Sequence, residues 1–265
     1  MCMRFNCQLT RDELSRQFRV ARPSQPIVRY NIAATQNVLI IRADETGARA
    51  ASYVEWGLIP NWAKDARSGE RRTVAKAELM GRLPEFRQAY SRRRCLIVAS
   101  GFYEWRPAAP KEEHAWHISL RSGTPMAFAG LWETWQSSEG SLVESCAIVT
   151  TAPNRTMGLI GARMPVVLSE PAFDEWLDPT NRNTRDLQNW LVPCPDPWLV
   201  VDAVSPHVKD PRNDDPKCIE RITRRTRPEE ETVGIPSAGS GSHILGGTVS
   251  GIYRLQSWVN AILGR

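Results

Sequence analysis

No two cysteines in this sequence stand in C-x-x-C spacing. The six present, Cys2, Cys7, Cys95, Cys146, Cys194 and Cys218, are scattered over 265 residues, which disfavours zinc ribbons and thioredoxin-type motifs. No run approaches the ~20 apolar residues of a membrane helix. Arg4, Arg11 and Asp12 stand near the start with no apolar stretch between them, unlike a secretory leader. The expectation is a cytoplasmic protein with reduced thiols and no membrane attachment. Histidine is sparse, four in all. His114 and His117 alternate about Trp116 as strand residues do, His207 comes late, and His243 sits in a polar stretch. None reads as an obvious general base. No internal repeat stands out. No regular alternation of strands and helices is visible either, which disfavours a doubly wound parallel sheet.

What is present describes a globular chain. Hydrophobic residues make up 42% and charged residues 24%, and the length allows one large domain or two small ones. The net charge is +5, with arginine dominant. That balance suggests a polyanionic partner without demanding one. Ten tryptophans are more than a core of this size needs, so some are expected at the surface, available for stacking.

Residues 1–9 read as a strand, and Thr10 to Glu13 has the spacing of a capping box opening a helix through Phe18. Further strands are expected at Arg29–Ala33, Asn37–Arg42, Ala50–Trp56, Cys95–Ala99, Gly101–Trp105, Trp116–Leu120, Met126–Trp132, Ser145–Thr150, Val166–Leu168 and Trp198–Val204. Helical features cover Lys76–Tyr90, Asn154–Ile160, Pro171–Leu177 and Leu187–Leu191. Gly140 marks a hairpin loop. The class is α+β: a mainly antiparallel, barrel-like β-sheet with a few flanking helices. One domain is expected over 1–220. A polar, Gly/Ser-rich linker follows over 221–251. Residues 252–265, with Ile252, Leu255, Val259 and Ile262 at helical spacing, form a short amphipathic helix or a frayed end.

Two residues carry candidate chemistry. Removal of Met1 would leave Cys2 with a free α-amine beside its thiol. Such a pair captures aldehydes, the amine forming a Schiff base and the thiol closing a five-membered ring. A cysteine at position 2 can equally be incidental. Glu104 stands among aromatics in Gly-Phe-Tyr-Glu-Trp, where desolvation would raise its pKa and suit it to proton transfer. The alternative is a strand-end glutamate in water.

Several segments, in order, resemble one family. Met1-Cys2-Met3-Arg4-Phe5 is similar to a Met-Cys-Gly-Arg-Phe start. Arg29-Tyr30-Asn31-Ile32-Ala33, Trp56-Gly57-Leu58-Ile59-Pro60 with Trp62, Arg94-Cys95-Leu96 through Gly101-Phe102-Tyr103-Glu104-Trp105, Arg163-Met164-Pro165, and Val204-Ser205 with Arg212-Asn213-Asp214-Asp215-Pro216 continue the pattern. Together they resemble the SRAP family of abasic-site-processing proteins. The resemblance implies a DNA-damage sensor that traps the ring-opened aldehyde of an abasic site in single-stranded DNA as a thiazolidine on Cys2. Glu104 would be the acid/base group, and residue 1 would be removed autoproteolytically, a lyase- and peptidase-like chemistry. Arg4, Asn31, Trp62, Lys76 and Arg163 would line the DNA groove. No metal or organic cofactor is implied, and the protein is expected to be a monomer.

The departures are specific. Val74 and Lys76 stand where the family has Asn and Arg, Gly161 where it has a catalytic histidine, Met3 where it has glycine, and Ala34 where it has proline. Val74 cannot donate a hydrogen bond, Lys76 lacks the bidentate fork, and Gly161 cannot relay a proton. Three readings follow: a crosslinking sensor with altered kinetics, a degenerate paralogue that binds single-stranded DNA without crosslinking, and a peptidase that acts only on its own leader.

Overall fold

The computed structural model describes residues 4–21, 23, 26, 28–66, 71–109 and 112–222, all in one unit ending at Ile222. Cys2, the linker beyond Ile222 and the 252–265 segment lie outside the described residues. The chain begins with β1 (Arg4–Cys7) and α1 (Arg11–Phe18). Thr10 caps α1 reciprocally with Glu13: the Glu13 amide donates to Thr10 Oγ1 at 3.2 Å, and the Thr10 amide donates to Glu13 Oε2 at 2.7 Å. The apolar face of α1, Leu14 and Phe18, is buried.

Then come β2 (Arg29–Ala33), β3 (Asn37–Ala43), β4 (Arg49–Trp56), β5 (Val74–Lys76), α2 (Pro84–Arg92), β6 (Arg94–Ala99), β7 (Gly101–Ala109), β8 (Glu112–Leu120), β9 (Met126–Gln136) and β10 (Leu142–Thr151). The remainder holds β11 (Met164–Pro165), β12 (Val167–Leu168), α3 (Phe173–Leu177), α4 (Thr184–Leu187) and β13 (Leu199–Val204), with short 3-10 turns between.

Two sheets form. The first is antiparallel, in the order β13-β8-β7-β1-β2. In the second, pairing runs from β10 through β4, β3, β6 and β9 back to β10, so these strands close on themselves and leave no free edge around the ring. The expected barrel-like α+β architecture is therefore present. Its second sheet is mixed, because β10 runs parallel to both β4 and β5. The sheets meet through aromatics: Phe5 of β1 packs against Trp56 and Phe128, with ring centroids 5.2 and 6.0 Å apart, and Phe102 of β7 lies 6.0 Å from Phe128.

Three expected helices are corrected: Asn154–Ile160 holds only a 3-10 turn at Met157–Leu159, Leu187–Leu191 holds the last residue of α4 and a 3-10 turn at Gln188–Trp190, and the third starts late. Within Lys76–Tyr90 the helix starts only at Pro84, whose fixed φ suits a first turn. Val74–Lys76 is instead a strand, because its backbone pairs with Ile148–Thr150 of β10. A long-range ladder overrides the local pattern there.

Candidate active site on the barrel-facing side of the first sheet

Side chains alternate along β7. Phe102 and Glu104 face the barrel, while Tyr103 and Trp105 face the other way, Tyr103 belonging to a separate small cluster with Ala115, Val204, Val208 and Cys218. Glu104 is only 4% exposed. Burial pushes its carboxyl pKa up, because the ionised form loses hydration. The chain returns to this carboxyl at Gly161. A Cβ placed there would stand 3.3 Å from Glu104 Cδ and 3.5 Å from Oε2. Any side chain at 161 would press directly on the acid, so glycine lets the turn pack close against Glu104.

Two residues further on, Arg163 is anchored to β10. Its Nε donates to Thr150 Oγ1 at 3.1 Å, and its Nη2 donates to the Thr150 carbonyl at 2.7 Å. Nη2 also reaches Glu78 Oε2 at 2.8 Å. Lys76 sits opposite Thr150 in the β5–β10 register and is exposed. Val74 shares that face of β5 and is half-buried. The structure thus brings Gly161 against Glu104, and sets Arg163 beside Thr150, Glu78 and the Lys76 end of β5. Trp62, on the turn after Pro60, is 57% exposed, an open face for stacking.

Arg4 and Asn31 are placed elsewhere, and the expectation that they line a groove needs correction. Asn31 is 0% exposed. Its amide donates to the carbonyls of Val208, Asp210 and Asn213 at 3.1, 3.0 and 2.8 Å. Arg4 donates to Asn31 Oδ1 at 2.7 Å and to the Val208 and Lys209 carbonyls at 3.1 and 3.3 Å, and its guanidinium stands 5.8 Å from the Trp105 ring centroid. Both residues therefore act on the face opposite Glu104, clasping the 207–214 segment to β1 and β2. Asp214, which sequence reasoning did not single out, completes the clasp by accepting from the Tyr30 and Asn31 amides and pairing with Arg29. A buried amide needs several partners; the Arg-Asn-Asp-Asp-Pro string supplies the Asn213 carbonyl, and Val208 and Asp210 just before it supply the others. That string was visible in the sequence, but its partner was not.

No histidine among the described residues reaches Glu104 as a substitute relay. His117 lies over Gly101 on the outer face, where any Cβ would come within 2.4 Å of its Nε2. Burial pushes its pKa down to about 4, and its Nε2 pairs with Asn6 Oδ1 at 3.0 Å. His207, Asp215 and Cys218 cluster with donor atoms within 4.8 Å. In this cluster His207 Nε2 pairs with Asp215 Oδ2 at 2.9 Å, and Nδ1 with the Asn213 side-chain amide at 3.1 Å.

Comparison with known proteins follows this geometry. The family model described as SOS response associated peptidase (SRAP) matches residues 1–211. The chain is 38% identical over 223 residues to the abasic site processing protein YoqW of Bacillus subtilis, covering 83% of this chain and 99% of that one. It is 24% identical over 268 residues to the abasic site processing protein HMCES of Rattus norvegicus, covering 83% and 75%. A solved structure from Bacteroides thetaiotaomicron superposes with a TM-score of 0.74 at 22% identity, over 84% of this chain and all of that one, a likeness of fold. The closed barrel, the Glu104 strand and the run of matched segments are those of one family, and this chain belongs to the SRAP family.

Proposed function

We propose that this protein captures the ring-opened aldehyde of abasic sites in single-stranded DNA through Cys2, once Met1 has been removed. The amine adds to the sugar C1′ aldehyde. Glu104, protonated, then gives its proton to the departing hydroxyl, and water leaves as the Schiff base forms. The thiolate adds to the imine carbon and closes a thiazolidine, so one aldehyde and one aminothiol become one ring and one water. The observation that carries this reading is the Glu104 carboxyl: buried, raised in pKa, and closely approached by Gly161. A carboxyl whose pKa is raised is a better proton donor at imine formation than an exposed glutamate. The relatives YoqW and HMCES are named abasic site processing proteins.

The test is incubation of the purified protein with single-stranded DNA carrying one abasic site, followed by a denaturing gel and mass spectrometry of the N-terminus. The expected result is a shifted band that is absent from Cys2→Ala. No band from protein shown to lack Met1 removes the proposal. A second reading, binding without crosslinking, draws on the glycine at 161 and the apolar Val74. It expects salt-sensitive binding that Cys2→Ala leaves unchanged, and no covalent product.

A further inference from the structure

Arg163 stands between β10 and the turn after β5, and a carboxylate already occupies it. Its guanidinium has two kinds of partner. The Thr150 hydroxyl and carbonyl hold it at 3.1 and 2.7 Å and belong to β10, whose ladder is fixed by β9 and β5. The Glu78 oxygens lie at 3.1 and 2.8 Å from the same Nη2 and belong to the turn after β5. The Arg163 side chain is 18% exposed and that of Glu78 is 51% exposed. The Thr150 bonds are thus inner anchors, and Glu78 closes the solvent side. Partial burial pushes the Glu78 carboxyl pKa up, but the Arg163 hydrogen bond, its own backbone N–H and the charges of Arg163 and Lys76 hold it below the usual range, so it is ionised.

We propose that Glu78 is an internal surrogate for a DNA phosphate on Arg163, and that it weakens binding of undamaged single strands. The inference rests on the reading of this cleft as a DNA site. A carboxylate and a phosphate present similar paired oxygens to a guanidinium. Arg163 keeps its Thr150 anchors without Glu78, so a phosphate can replace the carboxylate without unseating the arginine. A half-exposed ion pair contributes little stability, so it gives way to a polyanion held by several contacts. It still subtracts from each encounter. Strands that are merely passing are disfavoured, whereas a strand that becomes covalently attached is retained whatever its first affinity.

The experiment measures binding of an undamaged fluorescent oligonucleotide by anisotropy between 50 and 200 mM salt. Wild type, Glu78→Gln, Arg163→Ala and the double variant are compared. Glu78→Gln is expected to bind ~3–10-fold tighter, with a salt slope steeper by ~0.7, one further phosphate neutralised. In the Arg163→Ala background the same substitution is expected to change affinity less than twofold, because the gain passes through Arg163. Binding by Glu78→Gln that is unchanged or weaker than wild type overturns the inference, and weaker binding would make Glu78 a buttress for Arg163. Glu78→Ala, checked for folding by circular dichroism, must agree with Glu78→Gln. Failure of the wild type to bind single strands at all overturns the DNA reading itself and this inference with it. Normal wild-type binding with no gain in Glu78→Gln overturns this inference alone.

Discussion

At Glu104 the fold opposes ionisation of the group it buries. Burial is the largest influence on its carboxyl and raises the pKa. A carboxyl whose folded pKa exceeds its unfolded value of ~4.3 adds stability that is complete below that value. The contribution declines as pH rises through the folded pKa. Glu104→Gln removes the decline. Thermal unfolding should therefore show the variant gaining on wild type between pH 4 and pH 8, and an equal difference at both would show that the carboxyl is not raised. The same variant should crosslink ~10²–10⁴-fold more slowly, the usual worth of a general acid. Gly161 gives the complementary test. An added Cβ would sit 3.3 Å from Glu104 Cδ, tight enough to need a shift of a few tenths of an ångström but not excluded. Gly161→His should speed capture by ~10-fold or more, read as initial crosslinking rate, and an unchanged rate would show that the glycine costs nothing.

At the scale of elements, two buried anchors hold the frame around the site. Arg94 at the start of β6 is 3% exposed. It donates to the carbonyls of Tyr90 and Ser91 in α2, of Trp176 and Asp178 in and after α3, and of Asn181. Its charge has been taken out of water in exchange for backbone oxygens. Arg94→Met should leave those carbonyls unsatisfied and cost about 3 kcal/mol or more, measured by urea denaturation. A loss under about 1 kcal/mol would show that water replaces the guanidinium freely. The second anchor is the clasp of Asp214 on the Tyr30 and Asn31 amides. Asp214→Ala should cost about 2 kcal/mol and speed hydrogen exchange at those two amides relative to β6. Unchanged exchange there would mean that β1 and β2 hold the segment without it.

Over the whole molecule, with a net charge of +5, many of the arginines are committed to carboxylates or backbone oxygens. Arg42 is paired with Glu144, Arg49 with Asp174, Arg93 with Glu133, Arg71 with Glu55 and Arg29 with Asp214. Arg94 is buried among carbonyls and Arg4 is committed to the clasp. The cleft cations identified by the geometry are Arg163 and Lys76. Single-strand affinity should accordingly fall with salt at a log–log slope of about −0.7 to −1.4 in wild type, one to two phosphates at ~0.7 each, measured by anisotropy. A slope steeper than about −4 would show a broader basic surface in use.

Local order in the chain announced much of this. The Thr10–Glu13 box, Pro84 as a first-turn residue, the Gly140 hairpin and the alternating apolar runs are short-range signals, and each element formed where its own residues favour it. The ordered motifs likewise carried the family, because each string is contiguous. Three things needed the folded molecule. Val74–Lys76 is a strand only because Ile148–Thr150 is there to pair with it. Asn31 is a buried clasp residue only because carbonyls from Val208 to Asn213 return over it. Gly161 lies on Glu104 only because the turn before β11 is carried back across the barrel. In each case the partner is far away in the chain. Propensity and spacing report what a segment prefers by itself, whereas burial, pKa and the accessible face depend on what the closed sheets bring against it.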